Sequence, residues 1–243
     1  MTGVRLSVVI PAFNAAPLMA STLGDLREQL ASALGPAFEI VVVDDGSVDG
    51  TGTRAKEAGA DLVHRLERNR GKGAAVRAGM SCSRGDSVIF TDADLAYGPD
   101  QVLRVLDALE AGAQFAIGSR ALPESDVVVP PAASRRLSTR LFNAAVRLAL
   151  WHSYADTQCG LKGFRADVAA QLVGLTRIDG FAFDVELLHL AERLGMKVVE
   201  VPVSLSSTTT SSVRLALHAP QMLRDLVRIR LYEMRGAYGP RTP

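Results

Sequence analysis

Five short runs of apolar, largely β-branched residues recur through the first half of the chain, each separated from the next by a helix-length stretch. Leu6–Ile10, Ile40–Val43, Leu62–His64, Val88–Thr91 and Phe115–Ile117 have the length and composition of buried strands. Between them, Ala15–Ala33, Thr51–Ala58, Gly73–Ser81 and Pro99–Glu110 carry helical composition and period. A chain that leaves a sheet, forms a helix and returns re-enters in the same direction, so these strands are expected to be parallel. Helices then cover both faces, which explains strands that are apolar throughout rather than alternating. The expected fold is α/β, with a mostly parallel sheet and helices on both faces.

The second half is less regular. Ser134–Trp151 and Phe183–Leu194 read as helices and Val198–Val203 as a late strand. A polar tract, Ser204–Ser212, leads into a final helix over Pro220–Arg235. The expected organisation is one domain over residues 1–215, in halves of about 1–120 and 121–215, followed by an amphipathic C-terminal helix within 216–243. A length of 243 residues is ample for a buried core. With 27 basic and 26 acidic residues the formal charge is +1, without the basic excess of a nucleic-acid binder, so no nucleic-acid partner is expected. A 48% hydrophobic and 22% charged composition excludes a disordered chain. Cys82 and Cys159 show neither disulfide nor zinc spacing, which fits a reducing compartment. No signal peptide is expected ahead of the first strand, and no run approaches the roughly 18 apolar residues of a membrane span. The expected location is cytoplasmic, soluble or peripheral on the cytoplasmic face of a membrane.

Open parallel sheets bind ligands beyond the carboxyl ends of their strands. Those ends carry Pro11-Ala12-Phe13-Asn14, Asp44-Asp45-Gly46-Ser47, Asp92-Ala93-Asp94 and Gly118-Ser119-Arg120. Taken alone, Asp44–Ser47 has the residues of an ordinary turn or helix cap. Asp92 and Asp94 differ: in an extended segment, residues i and i+2 point the same way, and two such carboxylates repel unless a cation joins them. Their hard oxygens suit Mg2+ or Mn2+, with substrate phosphates completing the shell. Asn69-Arg70-Gly71-Lys72-Gly73 precedes a helix, whose N-terminus favours an anion. It is neither a P-loop nor GxGxxG, because Ala74 follows Gly73 and Val76 holds the third glycine's place. Beside a carboxylate pair it suggests contact with a nucleotide. His64, His152, His189 and His218 share no ligand spacing, and no base neighbours Cys159 in sequence to make it a nucleophile.

Together, Val8-Val9-Ile10-Pro11-Ala12-Phe13-Asn14, Val42-Val43-Asp44-Asp45-Gly46-Ser47, Gly71-Lys72-Gly73 and Asp92-Ala93-Asp94 resemble the nucleotide-sugar domain of family 2 inverting glycosyltransferases, which have the GT-A fold. Gly118-Ser119-Arg120, Asp156-Thr157-Gln158-Cys159-Gly160-Leu161-Lys162, Phe183-Asp184-Val185-Glu186 and Glu200-Val201-Pro202-Val203 resemble the polyprenyl-phosphate branch, which includes dolichyl-phosphate glucosyl- and mannosyltransferases. The resemblance implies that Asp44 and Asp45 hold base and ribose, with Pro11, Ala12 and Asn14 lining that pocket and Lys72 approaching the nucleotide. It implies that Asp92 and Asp94 bind Mg2+ or Mn2+ on the diphosphate, with Arg214 as a further diphosphate contact. Arg120, with Arg135 or Arg136, would hold the acceptor phosphate, while Gln158, Asp184 and Glu186 would lie near the sugar; Asp94, Arg120, Asp184 and Glu186 are the catalytic candidates. The glutamine that mannosyltransferases of this group often carry two residues beyond the second metal aspartate is Ala96 here, and Asp-Thr-Gln-Cys-Gly is closer to the glucosyltransferase type. UDP-glucose is therefore favoured over GDP-mannose.

The implied reaction is in-line displacement of a nucleoside diphosphate with inversion. An acceptor phosphate, with a second pKa of about 6, is largely dianionic at neutral pH and needs no strong base. A hydroxyl acceptor would need one, with Asp184 or Glu186 as candidates; that reading stays open, as does a non-catalytic nucleotide-sugar-binding protein recruited to a membrane. Arg136, Arg140 and Arg147 oppose Leu137, Leu141, Leu148 and Trp151, and Arg224, Arg228 and Arg235 oppose Leu223, Val227, Leu231 and Met234. Basic amphipathic helices of this kind lie in membrane interfaces, so a membrane surface is an expected partner.

Overall fold

The computed structural model describes residues 3–126, 146, 154, 156–204 and 215–239. The helix expected over Ser134–Trp151 falls outside the described residues apart from Val146, as does the polar tract from Leu205 onward. The chain runs β1 (Leu6–Ala12), a 3-10 turn (Ala16–Leu18), α1 (Met19–Leu34), β2 (Phe38–Asp44), α2 (Thr51–Glu57), β3 (Leu62–Arg65), α3 (Lys72–Cys82), β4 (Ser87–Phe90), α4 (Pro99–Glu110) and β5 (Phe115–Ser119). There follow β6 (Lys162–Arg165), α5 (Ala166–Leu175), α6 (Phe183–Arg193), β7 (Val198–Pro202) and α7 (Leu215–Met234). The first half matches the sequence expectation element by element, α4 to the residue.

Among the described residues the strands form one seven-stranded sheet in the order β3-β2-β1-β4-β6-β5-β7. Every pairing is parallel except those of β6, which runs antiparallel to both β4 and β5. Alternation along the strands divides the core into two layers. Val9, Val41, Val43, Phe90 and Ile117 face α3, α5 and α6. Val8, Ile10, Ile40, Val42 and Ile89 face α1 and α4.

Neither β6 nor α5 is legible in the sequence. Lys162-Gly163-Phe164-Arg165 has no β-branched residue and only one large apolar one, so it lacks the pattern of a central strand. Its place is decided by its neighbours. Phe164 is fully buried, its ring centroid 4.4 Å from that of Phe115 and 6.2 Å from that of Phe90, which in turn lies 5.8 Å from Phe183.

The C-terminal helix α7 does more than decorate the domain. Met222, Leu226 and Ile229 are buried in the core, and Tyr238, just beyond the helix, is 2% exposed. Arg193 and His189 of α6 both reach Glu233, at 2.6 and 3.2 Å. The apolar face picked out from the sequence is a different one: Leu223, Val227 and Met234 are 48%, 60% and 65% exposed. No helix of the described residues is long and apolar enough to cross a membrane.

Because β6 is held through Phe164, removing that ring leaves a cavity between two strands. Phe164→Ala should cost about 3–5 kcal/mol in urea unfolding; a loss below about 1 kcal/mol would mean that the strand is held elsewhere.

Candidate active site

The parallel strands bring their carboxyl ends to one rim, and the reversed β6 brings its N-terminal approach to the same rim. Its register with β4 pairs Phe90 with Lys162. Two residues further along, the same register sets Asp92 against Gly160. The contact is close enough that a Cβ on Gly160 would lie 1.9 Å from Asp92 Oδ2. Only glycine leaves that carboxylate its seat.

Asp92 and Asp94 come together, though not by the extended geometry the spacing suggested. Strand β4 stops at Phe90 and the chain turns at once, Leu95 N–H donating to the Asp92 carbonyl at 3.1 Å with Leu95 at φ +43°. The turn is tied to α1 by the Thr22 hydroxyl, which donates to the Ala93 carbonyl at 2.7 Å. Both aspartates are half-buried. Burial first, and the Asp92 charge second, push the Asp94 carboxyl above its ordinary range. Asp94 is thus a carboxylate whose charge its surroundings disfavour.

The nearest cation is Lys72, at the start of α3. Its Nζ lies 2.8 Å from Asp92 Oδ1 and 3.8 Å from Asp184 Oδ2. Burial opposes the Lys72 charge, yet the two carboxylates hold its pKa above the usual lysine value. Asp184, 4% exposed, uses its other oxygen on Lys162 at 2.8 Å. Lys162 is fully buried and donates also to the Cys159 carbonyl at 2.6 Å. Both ammonium groups sit 5.7 Å from the centroid of the Phe90 ring. Strand ends β4 and β6 and the first turns of α3 and α6 thus meet in one cluster of alternating charge.

The residues that build this rim fall largely within residues 7–173, the stretch matched by the model of glycosyl transferase family 2, which runs from β1 past the end of β6. The chain belongs to glycosyl transferase family 2. A dolichyl-phosphate beta-glucosyltransferase of Drosophila melanogaster is 36% identical over 250 residues, covering 96% of this chain and 77% of that protein. A polyprenol monophosphomannose synthase of Mycolicibacterium smegmatis is 35% identical over 210 residues, covering 82% and 77%. Among solved structures, glucosyl-3-phosphoglycerate synthase from Mycobacterium tuberculosis, in complex with Mn2+, UDP and phosphoglyceric acid, superposes with a TM-score of 0.71 at 22% identity, covering 99% of this chain and 80% of that one. At that identity the likeness speaks for the fold, which is the GT-A arrangement expected.

Several residues singled out from the family resemblance have structural work of their own. Asp45 is 3% exposed and accepts the Arg70 and Gly71 N–H groups, both at 2.8 Å. A carboxylate of the protein itself thus clamps the loop that leads into α3. Burial nonetheless raises the Asp45 pKa. Asp44, 1% exposed, accepts the Ser47 N–H at 2.8 Å and so closes the turn that its residues suggested. Asn14 sits at φ +49° and its side chain accepts the Val48 N–H at 3.1 Å, joining the β1 and β2 ends; Pro11 and Ala12 close β1 beside them. Arg120 is locked to Asp156, Nε at 2.6 Å and Nη2 at 2.8 Å, and the Gln158 N–H also donates to Asp156 at 3.2 Å. Arg135, Arg136 and Arg214 lie outside the described residues.

Glu186 requires a correction. It was expected beside the sugar with Asp184, but residues two apart in a helix point about 200° from each other. Glu186 is fully buried on the far side, accepting the Arg177 and Ile178 N–H groups at 3.0 and 2.8 Å and the Tyr238 hydroxyl at 2.7 Å. It braces the 176–178 loop, apart from the charge cluster that Asp184 joins. Cys159 is likewise a packing residue: burial pushes its thiol up to about 11, and its Sγ rests against Gly118. The residues that sequence reasoning missed are Lys162, Gly160 and Asp156. All three stood in the quoted Asp156–Lys162 motif, but nothing local marks a lysine as fully buried or a glycine as a seat.

Two outcomes follow from this geometry. Gly160→Ala should displace the Asp92 carboxylate and lower divalent-cation affinity by about tenfold or more, read by Mn2+ titration, with the fold retained by circular dichroism; unchanged affinity would refute the seat. The Asp156 carboxyl is opposed by burial but held below its ordinary value of 3.8 by Arg120. Its stabilisation is therefore present above the carboxylate range and is lost as pH falls through it. Asp156→Asn should cost about 1–3 kcal/mol at pH 7, with the gap from the parent protein closing below about pH 4. A gap independent of pH would show that the pair contributes nothing through charge.

Proposed function

We propose that this glycosyltransferase moves glucose from UDP-glucose to the phosphate of a polyprenyl lipid, with inversion at the anomeric carbon. The observation that carries the reading is the Asp92–Asp94 pair on the rim turn, with Lys72 paired to Asp92 and the Asp94 charge disfavoured by burial and by its neighbour. The donor set fits a hard divalent ion: two carboxylates, one of them with its charge disfavoured by burial and by its neighbour. Asp92 and Asp94 would hold it, and when bound it would neutralise charge on the departing nucleoside diphosphate. The acceptor class is supported by the dolichyl-phosphate and polyprenol names of the relatives, and glucose over mannose by the glucosyltransferase names and by Ala96.

The chain's own residues then have distinct tasks. Pro11, Ala12 and Asn14 with the capped Asp44–Ser47 turn shape the floor for base and ribose; Asp44 and Asp45 act there mainly by holding backbone. Lys72 supplies positive charge toward the diphosphate. Arg120, a third exposed at its side chain and oriented by Asp156, faces the acceptor phosphate together with Arg135 or Arg136. Gln158 borders the sugar, and Arg214 meets the diphosphate. Asp184 is engaged by two lysines and nearly sealed from solvent, which disfavours it as a general base and so disfavours a hydroxyl acceptor. A phosphate acceptor needs no base, so catalysis rests on positioning and charge.

Meeting a lipid acceptor needs a membrane-facing surface. On α7, Leu223, Val227 and Met234 are exposed beside Arg224 and Arg235, which are exposed too. Such a face suits peripheral docking on anionic lipid at the cytoplasmic side.

The experiment is UDP release from UDP-glucose with Mn2+ and a polyprenyl phosphate. Turnover should require all three components and fall by about 10³-fold or more in Asp92→Ala. Full activity of that variant, or equal turnover when free hexoses replace the lipid phosphate, would overturn the reading.

A further inference from the structure

We infer that Lys72 is a built-in counter-cation of Asp92, which an incoming divalent ion displaces onto Asp184. The inference rests on the assignment of Asp92 and Asp94 as the cation pair, and concerns what this chain does before the ion arrives.

The two oxygens of Asp92 are not equivalent. Oδ2 lies over Gly160, where even a methyl group would clash, and Oδ1 accepts Lys72 Nζ at 2.8 Å. An ion that uses Asp92 through Oδ1 therefore meets an ammonium group already on that oxygen, and like charges so close repel. Lys72 has somewhere to go. Asp184 Oδ2 is 3.8 Å from Nζ, an ion pair just beyond hydrogen-bonding range, so a shift of about 1 Å turns it into a charge-assisted hydrogen bond. The lysine side chain is 14% exposed, roofed by its neighbours but not sealed, and its long unbranched stem permits that shift with the helix in place.

Asp184 is built to wait for it. Lys162 is fully buried and sealed from solvent; it holds Asp184 Oδ1 at 2.8 Å and the Cys159 carbonyl at 2.6 Å. That fixes the carboxylate with Oδ2 turned toward Lys72. Lys162 is thus a positioning residue, acting on the cation site through Asp184 and Lys72. The charge count points the same way. Asp92, Asp94 and Asp184 face Lys72 and Lys162, leaving one net negative charge. A divalent ion converts this to one net positive charge, the sign a nucleoside diphosphate requires. Lys72, once moved, remains in the cluster and keeps that sign.

The chain has only four lysines, Lys56, Lys72, Lys162 and Lys197, so a spectrum of 13C-labelled lysine side chains shows each one singly. The Lys72 signal is identified by its loss in Lys72→Met or, should that variant fail to fold, in Lys72→Arg. Titrating the nucleotide-free protein with Mg2+ should shift the Lys72 signal saturably, and Asp92→Asn should abolish the shift. In parallel, Mn2+ titrated into nucleotide-free Lys72→Met should bind about tenfold or more tightly than into the parent protein. Asp92-dependent binding that leaves the Lys72 signal unmoved overturns the inference while the cation pair stands. Absence of Mn2+ binding in the parent protein and in Lys72→Met, with or without UDP-glucose, overturns the pair itself and the inference with it.

Discussion

One strand running the wrong way organises this rim. Among the described residues six strands of the sheet are parallel, and β6 enters between β4 and β5 in the opposite sense. Its reversal delivers an N-terminal approach, Asp156 to Leu161, to the edge where the other strands deliver their carboxyl ends. The register that pairs Phe90 with Lys162 sets Gly160 beneath Asp92 and roots Lys162 under Asp184. A parallel strand in that position would send this segment to the other end of the sheet. The aromatic contacts of Phe164 with Phe115 and Phe90 therefore carry consequences well beyond their own packing.

The carboxylates at and behind the rim divide into two kinds. Asp45 and Glu186 are spent on backbone N–H groups, each holding a loop, and Asp156 is spent on an arginine fork. Asp92 is paired instead with the flexible side chain of Lys72, and among the described residues Asp94 accepts from its neighbours only the Ala96 N–H, at 3.2 Å. The two sets interlock. Asp45 holds Arg70 and Gly71 from one side, and the Asp179 carbonyl comes so near Gly71, at φ +108°, that a Cβ there would lie 2.6 Å from it. Lys72 follows directly. Its ammonium is thus aimed by a loop that is clamped on both sides, and Tyr238, through Glu186 and Ile178, belongs to the same clamp.

Burying such groups is costly unless each finds a partner. Lys162 meets this with a carboxylate and a carbonyl, Glu186 with two backbone donors and a phenol. The structure therefore explains why α6 begins with an acidic residue on each of two opposite faces. Asp184 serves the charge cluster and Glu186 the loop behind it, from one helical turn. Much of the fold around them was legible because it is local. The apolar runs and helical periods of residues 6–119 depend on side-chain spacing alone, and helices between strands dictate parallel pairing. The rim was legible for the same reason, since strand ends converge wherever a sheet is parallel. Strand β6 was not, because four residues without β-branching have no preference strong enough to outweigh their surroundings. The buried stripe of α7 was hidden beside a second apolar stripe, and only packing could say which of the two faces inward.

Sequence alone determined the α/β class, the carboxylate pair at Asp92 and Asp94, and the family to which their motifs point, because each is written in contiguous residues. Tertiary structure decided that Asp184 and Glu186 part company, that Asp45 clamps the loop ahead of α3, and that Lys72 rests on Asp92. Those outcomes depend on which atoms meet across the sheet, and distances between remote segments are set by strand order and register, which no local spacing encodes.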